Sequence, residues 1–153
     1  MRPKISVIFA GLVPNGFMDL IRTLKLEDVV QYVGYVQHAR VVELQHDADV
    51  LWMTIGSRPG SSGISTGKLY EYMGTGKPIL ALVPPGTARQ TLLRYGAAYI
   101  AEPESEADVI LALNQITSDW EKGNFPNPDD SFVSMFRRSR LTGKLAGVLD
   151  AVI

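Results

Sequence analysis

The chain has 153 residues, 46% of them hydrophobic and 20% charged, with a formal net charge of −1. That length can bury a core as one domain, and the charge balance lacks the positive excess that nucleic acid would require, so no nucleic acid partner is expected. There is no cysteine, which excludes disulfides and thiolate chemistry and suits a reducing compartment; no apolar run nears the roughly 20 residues of a membrane span.

In chain order, the pattern alternates strand and helix. Ile5 to Ala10 reads as a first buried strand and not as a secretion signal, which makes cytoplasmic location the expectation. Gly11 to Gly16 is a loop, and Phe17, Leu20, Ile21 and Leu24 have the spacing of one helix face. Val29 to Val33 is a second strand ending at Gly34, Val41, Val42 and Leu44 fall in a short helix, and Val50 to Thr54 is a third strand. After a glycine-rich loop and its helix come a strand over Pro78 to Val83, a helix over Thr87 to Tyr95 and a strand over Ala97 to Ala101. Val109, Leu113, Ile116 and Trp120 mark another helix. A polar, proline-containing link at 123–130 leads to a last helix at 131–152, carrying Phe132, Phe136, Leu141, Leu145 and Leu149. Five short apolar strands separated by helices predict an α/β fold, a doubly wound, Rossmann-like parallel sheet with helices on both faces.

The stretch from Arg58 to Pro78, R-P-G-S-S-G-I-S-T-G-K-L-Y-E-Y-M-G-T-G-K-P, organises the functional reading. It runs from a strand through small, flexible residues into a helix that starts near Ser65 and Thr66 and ends at Gly74 or Gly76. Either hydroxyl can cap the helix. The first N–H groups of a helix have no partner inside it, so the same residues can hold an anion. On the local pattern, an ordinary cap and an anion site are both open. Lys68 fits a charge beside phosphates or a solvated first-turn lysine. Glu71 is poorly placed for phosphate and suited to a pair of hydroxyls, such as those of a ribose, the other reading being a carboxylate on the helix surface.

The segment S-T-G-K-L-Y-E-Y-M-G-T-G-K-P-I-L-A resembles the donor site in the C-terminal domain of group 1 glycosyltransferases with the two-domain GT-B fold. Val7 to Gly11, V-V-Q-Y-V-G-Y-V at 29–36, D-A-D-V-L at 47–51 and a late L-L-R-Y-G-A-A-Y-I extend the similarity over most of the chain. The resemblance implies a nucleoside diphosphate sugar as donor substrate, with no further cofactor and no metal. It places the donor's diphosphate on Ser65, Thr66 and Gly67, which would stabilise the leaving group, with Lys68 nearby. Glu71 matches the second glutamate of the family's Glu, seven residues, Glu signature, which binds ribose hydroxyls. The first would fall at Gly63 and is absent, which leaves the sugar contact and the stereochemical outcome open. Tyr35 and Val36 stand where the family's backbone grips the base, although glycine followed by an aromatic is a common strand end. Gly11 opens the loop after the first strand, at the edge where ligands of such sheets bind; a tight turn is its other reading.

The resemblance also implies that the chain is a single donor-binding domain cut from a longer enzyme. The unit before the first strand and the N-terminal acceptor domain are missing, and whether Met1 is a native start is open. In the usual order 3-2-1-4-5-6 the missing strand is the middle one. The remaining strands are expected to close up as 2-1-3-4-5, or to be bridged by a second molecule in a dimer. An acceptor sugar or lipid-linked glycan would bind the absent domain, and the chain alone would transfer no sugar. A nucleotide-sugar epimerase of the same fold and a non-catalytic α/β binding domain are the alternatives.

Other patterns are set aside. Ser62 stands where a phosphate-binding loop of the G-x-x-x-x-G-K-[ST] type needs its first glycine, and Leu69 replaces its hydroxyl. Asp47 and Asp49 form a D-x-D that precedes a strand and reads as a surface turn. His38 and His46 have no soft ligand beside them in sequence. Arg137, Arg138 and Arg140 fit a solvated helix face or a peripheral contact with an anionic membrane.

Overall fold

The computed structural model describes residues 5–152, so Met1 lies outside the described residues. They form five strands, seven α-helices and one 3-10 turn, divided into two compact units, Met1–Asp47 and Ala48–Ile153.

The first unit contains β1 (Val7–Ala10), α1 (Phe17–Thr23), β2 (Val30–Gly34) and α2 (His38–Asp47). β1 and β2 pair in parallel from Val7 opposite Val30 to Phe9 opposite Tyr32, and the register slips by one residue to set Ala10 opposite Gly34. Phe17, at the start of α1, packs edge-on against Phe9 with ring centres 4.8 Å apart and against Tyr32 at 6.2 Å. Of the expected α1 face, Ile21 is buried while Leu20 and Leu24 are exposed.

The second unit contains β3 (Leu51–Thr54), the 3-10 turn (Ser61–Gly63), α3 (Gly67–Gly74), β4 (Ile79–Leu82), α4 (Thr87–Tyr95), β5 (Ala98–Ala101), α5 (Glu106–Lys122), α6 (Asp130–Ser134) and α7 (Arg138–Asp150). Its strands form a parallel sheet in the order β3-β4-β5. Central β4 is buried at every position, as a parallel strand covered on both faces must be. Ile79, Ala81 and Val83 face a core shared with Leu69 and Met73 of α3, Leu92 and Tyr95 of α4 and Phe132 of α6. Leu80 and Leu82 face the opposite way, toward Tyr99 and Ala112 of α5. Buried Tyr95 donates its hydroxyl to the Lys77 carbonyl at 2.8 Å, which gives both polar groups a partner.

Two expectations are corrected. The single sheet of order 2-1-3-4-5 is not formed: the strands make a two-stranded sheet, β1-β2, and a three-stranded sheet, β3-β4-β5. The last helix, expected unbroken at 131–152, is two helices, with Met135, Phe136 and Arg137 between them. Asp129 starts the first by accepting a hydrogen bond from the Phe132 N–H at 3.0 Å. Phe132 is held in the core under the Arg94 guanidinium, and Phe136 packs on Phe132 and Tyr70. Arg137 then takes an extended conformation (φ −60°, ψ 132°) that breaks the helix and begins α7. Of the α5 face read from the sequence, Val109 and Ile116 pack on the sheet with Ala112, whereas Leu113 and Trp120 are exposed.

Candidate functional site

The loop from β3 to α3 is shaped by local chemistry. Pro59 and Gly60 occupy the middle of a turn from Arg58 to Ser61, and Gly60 has the positive φ (88°) that the third position of a type II turn requires. Ser61 locks it: its hydroxyl donates to the Arg58 carbonyl at 2.6 Å and accepts from the Arg58 N–H at 3.1 Å. A short 3-10 turn follows, and Ile64 returns the chain to an extended path.

Thr66 is the cap of α3. Its hydroxyl accepts from the Leu69 N–H at 3.4 Å, which leaves the N–H groups of Gly67 and Lys68 at the tip without helical acceptors. Ser65 does not cap. Its hydroxyl lies 2.9 Å from that of Tyr70, and Tyr70 itself packs against Phe136 with the rings tilted. Ser65, Gly67 and Lys68 are exposed and Thr66 is half-buried, so packed side chains do not plug the tip. Leu69 and Met73 are the buried face of α3. At about 100° per residue Glu71 stands opposite them, on the exposed face. Burial raises the pKa of the Tyr72 phenol, and the Glu71 carboxylate beside it raises it further.

The site has parts that sequence reading missed. Gly86, between β4 and α4, has φ 151°, and a Cβ there would lie 2.2 Å from the Ser62 carbonyl oxygen. The loop after β4 thus packs backbone to backbone on the turn that precedes α3. The only signal was the Pro84-Pro85-Gly86-Thr87 run ahead of a helix. Arg89 in the first turn of α4 forms a close ion pair with Glu102, which directly follows β5. This pair ties α4 to the carboxyl end of β5, and a charged residue just past a strand was its only trace in the sequence. Gly63, where the resemblance sets a glutamate, has nothing among the described residues within 4 Å of the place a Cβ would take.

Ser65 and Thr66 immediately precede α3, and Gly67, Lys68 and Glu71 lie on it, all in the second unit on the segment that follows β3. Gly11, Tyr35 and Val36 belong to the first unit. There the Gly11 N–H donates to the Gly34 carbonyl at 2.8 Å and the Tyr32 hydroxyl donates to the Gly11 carbonyl at 3.0 Å. Gly11 needs its φ of 111° to make that turn. Tyr35 is 84% exposed, past the carboxyl end of β2, and Val36 is half-buried. Among the described residues no group of three His, Cys, Asp or Glu side chains is arranged to hold a metal ion. No helix among them is long and apolar enough to cross a membrane.

Residues 1–125 match the family described as glycosyl transferases group 1, and the chain belongs to that family. Among solved structures it is similar to HepE of Anabaena in complex with UDP, with a TM-score of 0.64 and 18% identity over 98% of this chain and 42% of that one. It is also similar to HepE in complex with UDP-glucose (TM-score 0.59, 22% identity, 80% of this chain and 33% of that one). A third is AviGT4, a glycosyltransferase involved in avilamycin A biosynthesis (TM-score 0.55, 14% identity, 80% and 34%). The chain thus spans less than half the length of each of these proteins, and the likeness establishes the shared α/β fold. No curated protein matches the chain.

Proposed function

We propose that this chain is the donor-binding part of a glycosyltransferase that moves a sugar from a nucleoside diphosphate sugar to an acceptor hydroxyl. The observation that carries the proposal is the open tip of α3, with two free N–H groups behind the Thr66 cap and Glu71 on its exposed face.

In such a reaction the bond between the anomeric carbon and a phosphate oxygen breaks, and negative charge grows on the departing nucleoside diphosphate. Oriented N–H dipoles at a helix start meet that charge without reorganising. The Gly67 and Lys68 N–H groups and the hydroxyls of Ser65 and Thr66 are proposed to hold the diphosphate, with the Lys68 ammonium adding a positive charge. Glu71 is proposed to accept hydrogen bonds from the ribose hydroxyls. Tyr35 and Val36 are proposed as contacts to the base, and Gly11 as a point of close backbone approach. HepE was crystallised with UDP and with UDP-glucose, which supports a nucleotide donor here. The chain by itself is expected to bind a nucleoside diphosphate weakly and to transfer no sugar.

The test is a calorimetric titration with UDP, GDP and inorganic pyrophosphate on the wild type and Glu71→Ala. A carboxylate bonded to a diol contributes about 1.5–3 kcal/mol, so the variant is expected to lose roughly tenfold or more in nucleotide affinity and none for pyrophosphate. An equal loss for all three ligands, or none for any, would overturn the role of Glu71.

A further inference from the structure

β5 is an edge strand. In its parallel register with β4, Ile79 donates to the Ala97 carbonyl and Val83 to the Ala101 carbonyl, so residues 97, 99 and 101 turn their backbone groups toward β4. In a parallel ladder the intervening residues point the other way, and Ala98 and Ile100 present their N–H and C=O groups outward. Such an edge is a ready template for another strand unless something covers it.

Here the edge borders a groove of about 720 Å³, with α5 as its other wall and the 124–127 link at one end. That volume lies within the range of ligand-sized clefts. Asp108 and Asp119 stand at the two ends of the α5 wall, with Leu111 between them, and among the described residues no lysine or arginine lines the groove. One oxygen of Asp119 accepts from the Tyr99 hydroxyl at 2.7 Å, which fixes that carboxylate at the rim. From residue 108 to residue 119 the helix rises about 16 Å at 1.5 Å per residue; same-face positions four apart in an extended chain span about 13 Å at 3.3 Å each, and the length of a lysine or arginine side chain covers the difference.

We infer that the groove between β5 and α5 binds an extended peptide segment carrying two lysines or arginines four residues apart, which adds to the sheet as a strand beside Ala98 and Ile100. The backbone of the segment pairs with the outward groups of β5. Its alternate side chains reach the α5 wall, the apolar one on Leu111 and the basic ones on Asp108 and Asp119, the division of labour common to strand addition. A second copy of this chain meets the groove less well, because β5 against β5 would set the same carboxylates opposite each other.

The inference is independent of nucleotide binding and is tested on the whole chain with a fluorescent acetylated peptide, Lys-Thr-Val-Thr-Lys-Thr amide, which sets the valine between the lysines on one face, and its counterpart with glutamates for lysines. Fluorescence anisotropy is expected to show saturable binding of the lysine peptide only. Ile100→Pro deletes one outward N–H and leaves the bonds to β4 in place; it should weaken binding at least tenfold with an unchanged circular dichroism spectrum. Asp108→Lys should weaken the lysine peptide and strengthen the glutamate peptide, and it decides the matter should the proline variant not fold. Lack of binding at millimolar peptide, or binding indifferent to Asp108→Lys, overturns the inference. So does a dimer in sedimentation velocity that Ile100→Pro abolishes, since the edge would then belong to a second copy.

Discussion

The two units carry the same kind of sequence and reach different degrees of burial. Both alternate short apolar strands with helices in parallel connection. In the second unit β4 has a strand on each side and helices on both faces, and its four residues are all buried. In the first unit, among the described residues, Ile21 is the one buried hydrophobic, and Ile8, Leu20, Leu24 and Val33 are exposed. Two strands and two helices offer too few neighbours to cover both faces of each strand. Burial follows the number of neighbours a strand has, not how apolar it is.

The largest effect that could break this comparison comes from matched leucines. Leu69→Ala in the second unit removes a side chain with no exposure and should cost about 2–5 kcal/mol in urea unfolding. Leu20→Ala in the first unit, where the side chain is 54% exposed, should stay within about 0.5 kcal/mol. Comparable losses would mean that the first unit has a core of similar weight.

Matched glycines come next. Gly86→Ala drives a Cβ into the Ser62 backbone and should cost about 1–3 kcal/mol, with a fall in nucleotide affinity as the turn ahead of α3 shifts. Gly11→Ala meets no atom within 4 Å and is strained by its φ of 111° alone, so its melting temperature should fall less. The reverse order would place the tighter backbone packing in the first unit.

Matched tyrosines sharpen the contrast on a smaller scale. Tyr95→Phe leaves the buried Lys77 carbonyl without its partner and should cost about 1 kcal/mol, whereas Tyr32→Phe, whose bond to Gly11 is exposed, should be close to neutral. Burial, assisted by the Asp130 carboxylate, pushes the Tyr95 phenol up to about 12. An acid whose pKa is raised by folding contributes stability that is complete below its unfolded value near 10 and is lost as the pH rises toward 12. Denaturant midpoints should therefore fall across that window, and fall less steeply in Tyr95→Phe. At the acid end the Ser131 hydroxyl and the Phe132 N–H lower the Asp129 pKa. That contribution is present above the usual carboxylate value and disappears as the pH drops through the lowered one, so Asp129→Asn should flatten the acid limb of the curve slightly.

Local signals in the sequence carried the elements and the family. The start of α3 near Ser65 and Thr66 and α4 from Thr87 to Tyr95 follow from residues a few positions apart, because caps and helix faces are local properties. The group 1 resemblance was legible for the same reason, being an ordered series of strand ends with their loops. Whatever depends on residues far apart in the chain was not legible. The choice of Thr66 over Ser65 as the cap goes with Tyr70, which engages the Ser65 hydroxyl from within α3 and is itself packed against Phe136 of the distant C-terminal segment. The contact of Gly86 with Ser62, the Arg89–Glu102 pair and the break before α7 all join segments whose proximity no periodicity encodes. The division into a two-stranded and a three-stranded sheet is of the same kind. An apolar run says that a strand will be buried, but which edge it pairs with depends on the neighbours the rest of the chain supplies, and that is decided only when the strands assemble.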